Sequence, residues 1–80
     1  MYQGHKSRAA WNVALYLFND DSLYQLMLRV CADCRAMGLT MNDMAANILD
    51  ELRQAGIEKT PDGYRYTKTT VRAALQHWKG

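Results

Sequence analysis

A chain of 80 residues with a net charge of +2 supports one compact core and is too short for two, so a single domain over residues 1–80 is expected. Its 49% hydrophobic content, with two Trp and five Tyr, excludes a disordered tail, and its only two cysteines, Cys31 and Cys34, are too few for a secreted disulfide framework. The longest apolar run is interrupted by Asn19, Asp20 and Asp21, short of the roughly 20 residues that span a bilayer, and no charged-then-apolar leader precedes it; the expectation is a cytoplasmic protein with no membrane partner.

Ser7 precedes "AAWNVALYLF", where Ala10, Val13, Ala14 and Leu17 form one apolar stripe and Trp11, Leu15 and Phe18 a second beside it, predicting a first helix buried on two sides. Asn12 within it needs a partner, and a hydrogen bond to the cap of the second helix is the expected one. "NDDS" ends this helix, and Asp21 or Ser22 is expected to cap the next. Leu23, Leu26, Met27, Val30, Cys31, Cys34 and Met37 then recur at three- and four-residue steps, with Gly38 as a left-handed stop.

"TMND" at 40–43 has the capping-box spacing, with Asp43 in the place of the usual Glu. Met44, Ala45, Ile48, Leu49, Leu52 and Ala55 line one face of a third helix that Gly56 closes. Thr60-Pro61-Asp62-Gly63 suits a type I turn, and Tyr64-Arg65-Tyr66 alternates as an extended piece does. Thr67 or Thr69 caps a fourth helix that points Val71, Ala74, Leu75 and Trp78 inward and gathers Lys68, Arg72, Gln76 and Lys79 on its other side. The predicted fold is all-α: a compact four-helix bundle with a short turn or mini-hairpin before the last helix.

Charge is distributed unevenly along this order. Residues 9–56 carry −3, residues 57–80 carry +3, and Lys6 with Arg8 adds +2 at the start, so the positive field is local to the two ends of the chain.

The residues offer little catalytic chemistry. Cys31 and Cys34 lack the second ligand pair of a structural zinc, His5 and His77 lie near opposite ends of the chain, and the thiols fall late in an apolar stripe where small core residues belong. Ser7 and Ser22 read as caps, the Asp20–Asp21 and Asp50–Glu51 neighbours diverge or cap, and no glycine-rich phosphate loop is present. Neither a catalytic residue, a metal nor a cofactor is expected. The candidate contact set is the basic face of the fourth helix, Lys68, Arg72, Gln76 and Lys79, with Lys59, Tyr64, Arg65 and Tyr66 around it. Met27, Met37, Met41 and Met44 cluster at the corner between the second and third helices as core filling. Tyr16 and Tyr24, off the main stripes, are candidate interface aromatics.

Two resemblances bear on these residues. "GLTMNDMAANILDELRQAGIEKTPDGYRYTKTTVRAAL" resembles the DNA-binding helix, Thr-Pro-x-Gly turn and following helix of the large serine recombinases, through Gly38, Gly56, Thr60, Pro61, Gly63, Thr67, Thr70, Val71 and Arg72 among others. In that family the second helix lies on DNA; this chain has no catalytic serine domain, so the resemblance implies DNA contact and no recombination. Nearly the whole chain is similar to a group of small, uncharacterised bacteriophage and mobile-element proteins, through Trp11, Asn12, Val13, Leu15, Asn19, Asp20, Leu23 and Tyr24 together with "TPDGYRYTKTTVRAAL". That likeness implies a non-enzymatic effector that binds a host or anti-phage defence protein or nucleoprotein complex. The alternative is a helix-turn-helix-like DNA-binding regulator, and a third reading is a homodimer joined through Tyr16, Tyr24 and Leu28.

Overall fold

A computed structural model describes residues 7–78 of the chain. Four helices make the fold: α1 (Arg8–Asn19), α2 (Asp21–Ala36), α3 (Met41–Gln54) and α4 (Lys68–His77). α1 packs on α2 and α4, and α3 packs on α2 and α4, closing a four-membered ring in which the last helix meets the first. This is the all-α four-helix bundle that the apolar periods predict. Among the described residues the extended pieces amount to one antiparallel bridge, Lys59 with Arg65.

Each helix begins on a side chain that accepts an otherwise orphaned amide. Ser7 Oγ accepts from Ala10 N at 3.1 Å, and Thr40 and Asp43 exchange both bonds of a capping box. Thr67 and Thr70 do the same for α4, which selects Thr67 over Thr69 as the cap. The cap of α2 is Asp20, whose side chain accepts from Leu23 N at 3.0 Å, and neither Asp21 nor Ser22 as expected. α1 and α2 are joined through Asp20 alone, so that one extended residue is both the end of α1 and the start of α2. α2 and α3 close by paired bonds around glycine: Leu39 N donates to Cys34 O, and Ile57 N to Leu52 O, each reaching five positions back as in a Schellman end.

Leu17, Met27, Ile48 and Leu52 are fully enclosed where the four helices converge, and each contributes about 1.5–3 kcal/mol through apolar burial. Two expectations about this core fail. α1 buries only one stripe: Leu15 is 37% exposed and Trp11 and Phe18 are half-buried, because both of its helical neighbours cover the same side. Met37, Met41 and Ala55 also point out: Met37, 73% exposed, and Ala55 are the C-caps of their helices, where the chain turns away from the apolar face, and Met41 is the exposed first residue of α3.

The segment between α3 and α4 is a tight hairpin. Gly63 N donates to Thr60 O at 2.9 Å, Thr60 N to Tyr64 O at 2.8 Å and Tyr66 N to Glu58 O at 3.0 Å. A three-residue loop of this kind ends on a left-handed residue, here Gly63 at φ 94°.

Candidate functional site

α4 buries Val71, Ala74 and Leu75 and turns its other side outward. There Lys68, Thr69, Arg72, Ala73 and Gln76 join Asn42, from the first turn of α3, around an open groove of about 280 Å³. The three predicted contacts Lys68, Arg72 and Gln76 therefore meet in one place, because steps of four residues return to the same helix face. Lys79 lies outside the described residues.

Every polar side chain of the groove can donate, and its two charges are both positive. Arg72 is half-buried, and its Nε is shut off from water without a hydrogen-bond acceptor. No carboxylate lines the groove. Asp43 is near enough for Lys68 to favour its ionised form, but the Thr40 backbone N–H and hydroxyl are the larger causes that hold the Asp43 carboxyl below the usual range. Asn42, Thr69 and Ala73 were not among the predicted contacts. Thr69 and Ala73 flank Lys68 and Arg72 on the same turns of α4, whereas Asn42 arrives from another helix.

The hairpin residues do not join this groove. Lys59 and Arg65 are exposed and bridge each other through the backbone, and Arg65 faces a second groove with Arg53, Glu58, Leu49, Ile57 and Tyr66. Tyr64 faces a third, with Arg8, Trp11, Asn12 and Asp62. Arg65 and Tyr66 line one groove and Tyr64 another, so these three successive residues do not serve one surface. Tyr66 is a correction: expected to flank the basic face, it is 5% exposed and belongs to the core. Burial pushes its phenol upward, with the Asp20 and Tyr16 environments adding to the shift.

Tyr16 and Tyr24 are likewise not free aromatics. Both are half-buried and packed on the core. The Tyr16 hydroxyl donates to Asp62 Oδ2 at 3.2 Å, and its pKa is raised by burial first and by that bond second. Asp62 Oδ2 also accepts from Asn12 Nδ2 at 2.8 Å, so the amide nitrogen finds its partner in the hairpin turn and not at the cap of α2, while the buried Asn12 Oδ1 has none.

Cys31 and Cys34 are buried free thiols. Burial pushes the Cys31 thiol up, against the opposing pull of Arg35, which is the reverse of what a nucleophilic thiolate requires. Cys34 Sγ accepts from Asn47 Nδ2 at 3.3 Å. Among the described residues no cluster of His, Cys, Asp or Glu has a metal-holding arrangement, and no helix is long and apolar enough to cross a membrane.

The chain belongs to DUF7249, a family of unknown function, which it matches over residues 1–78. No curated protein and no solved structure matches it.

Proposed function

We propose that this protein acts by binding, without catalysis, as a small phage-type effector that occupies a surface of a host or anti-phage defence protein or nucleoprotein complex in the bacterial cytoplasm, and that the outer face of α4 is its contact surface. Arg72 is the observation that carries this reading. One nitrogen of its guanidinium, Nε, is shut off from water and unpaired, and no carboxylate lines the groove, so an anionic group on a partner supplies the counter-charge that the free protein lacks there. Lys68, Asn42 and Gln76 stand around it with further donors for the same group. The similarity of nearly the whole chain to small phage and mobile-element proteins supports the setting.

A second reading is direct DNA binding by α4, favoured by the makeup of its face: Lys68, Thr69, Arg72 and Gln76 are side chains that meet phosphates and base edges. The resemblance of residues 38–75 to the large serine recombinases supports it. A hairpin here separates α3 from α4, where a helix-turn-helix has a short turn.

The test is the full chain run against mixed duplex and single-stranded DNA at low and physiological salt, beside a tagged pull-down from nuclease-treated bacterial lysate. A stoichiometric protein partner that survives nuclease and is lost with Arg72→Ala is the expected result. A DNA shift that weakens steeply with salt and disappears with Arg72→Ala, without a protein partner, replaces the effector reading with the second one. Failure of both arms removes α4 as the contact surface.

A further inference from the structure

A different groove, sharing no residue with the one on α4, runs between α2 and α3 and has a volume of about 430 Å³. Its apolar part is Val30, Cys34, Leu39 and Met37. Met37 is 73% exposed, an unusual position for a large apolar side chain in so small a fold, and an unbranched thioether adapts to a varied apolar partner. Asn47 is held at the groove by its bond to Cys34 Sγ.

The polar part carries one sign. Asp33, Asp50 and Glu51 line the groove and no lysine or arginine does. Glu51 has a counter-ion in Arg29, at 3.4 Å across the surface, and Asp50 accepts from Gln54 Nε2 at 3.1 Å. Asp33 stands exposed in the last turn of α2, where the free carbonyls of the helix end favour a cation; Arg35 supplies one on the same turn, and the groove itself holds none.

We propose that this groove is a docking site for a basic amphipathic helix of a partner protein, whose apolar stripe covers Met37 and Leu39 while its lysines or arginines meet Asp33 and Asp50. Charge complementarity selects that occupant. A nucleic acid brings the wrong sign. The outer faces of α1 and α4 in a second copy of this chain bring the wrong pattern: that of α4 is basic without an apolar stripe, and the outer stripe of α1, Trp11, Leu15 and Phe18, is apolar with Arg8 as the only cation on its helix. The site stands independently of the role proposed for α4, and a chain with both offers a basic face to an anionic partner and an acidic, apolar groove to a cationic one.

The probe is a fluorescent leucine/lysine peptide with helical amphipathic spacing, compared with a scrambled peptide of the same composition, both titrated into the full chain at physiological salt. The ordered peptide is expected to bind and to shift the backbone amide resonances of Met37, Leu39 and Asn47. The double variant Asp33→Lys, Asp50→Lys is expected to weaken it by about tenfold or more, and Met37→Ser to weaken it by a smaller factor. Both variants change exposed residues, and circular dichroism melts matching the parent confirm that they fold. Arg72→Ala is expected to leave the peptide affinity unchanged, which separates this site from the α4 groove. Absence of binding, equal binding of the scrambled peptide, an unaltered affinity in the double variant, or resonance shifts centred away from the α2–α3 groove each overturn the proposal.

Discussion

Asn12 on α1 and Asp62 in the hairpin turn, fifty positions apart, meet through a hydrogen bond of 2.8 Å from the amide to the carboxylate. Asn12 is 3% exposed and Asp62 is on the surface, so the bond joins the interior of α1 to the tip of the hairpin. Asn12→Ala removes a bond to a charged acceptor and lowers stability by about 1.5–3 kcal/mol. Asn12→Asp puts a second carboxylate against Asp62 and is expected to be worse at neutral pH, with recovery as the pair is protonated in acid. Urea midpoints at two pH values measure both effects. Equal midpoints for the two variants at neutral pH would show that the carboxylates do not meet.

Gly63 holds the hairpin in its tight form. Its φ of 94° lies where side chains are strained, although a Cβ there would touch nothing. Gly63→Ala therefore tests the backbone alone, and a loss of about 1–2 kcal/mol is expected. Calorimetric unfolding provides the measurement. A melting temperature equal to that of the parent would mean that the turn relaxes to another shape at no cost, and the Tyr66 N to Glu58 O bond would then be expected to exchange its hydrogen quickly.

Features set within one turn of helix were readable in the sequence. The apolar periods of α2, α3 and α4 named their buried faces, and Ser7, Thr40 and Thr67 announced their helix starts, because periodicity and capping involve residues three or four apart. The same local rule brought Lys68, Arg72 and Gln76 together correctly. Tyr66, Asn12 and Asn42 were not legible for a shared reason. Alternation says that Tyr64 and Tyr66 share a direction opposite to Arg65, but the packing of the hairpin against the bundle decides which side chain the core encloses. Asn12 has a partner from another element, and Asn42 enters the groove from α3; no spacing in the chain records either meeting.

Tyr66 predicts how the fold responds to alkali. Burial and its surroundings raise the phenol above its ordinary value of 10.0 in the folded chain. A group raised by folding contributes stability that is intact below the unfolded value and is lost as the pH rises from there through the folded value. Tyr16 is shifted in the same direction and acts in the same window. Unfolding free energy is therefore expected to be flat near neutrality, to begin to fall from about pH 9 as the buried Cys31 thiol enters its own window, and to fall further beyond pH 10. Tyr66→Phe is expected to flatten part of that fall, and an unchanged alkaline slope in this variant would assign it to other groups.

Arg72 separates stability from binding. Arg72 is half-buried with Nε unpaired and no carboxylate lining its groove, so the charge has no counter-charge there to reward it, while its long methylene stem can cover apolar surface. Arg72→Met keeps the stem and discards the charge; its melting temperature is expected to equal or exceed that of the parent. Arg72→Ala loses the stem as well and is expected to cost up to about 1 kcal/mol through lost packing. If α4 is the contact surface, both variants lose the partner equally, since both lose the cation. A fall in the stability of Arg72→Met by more than that of Arg72→Ala would mean that the guanidinium is held by the fold itself, and the contact surface would have to be sought elsewhere.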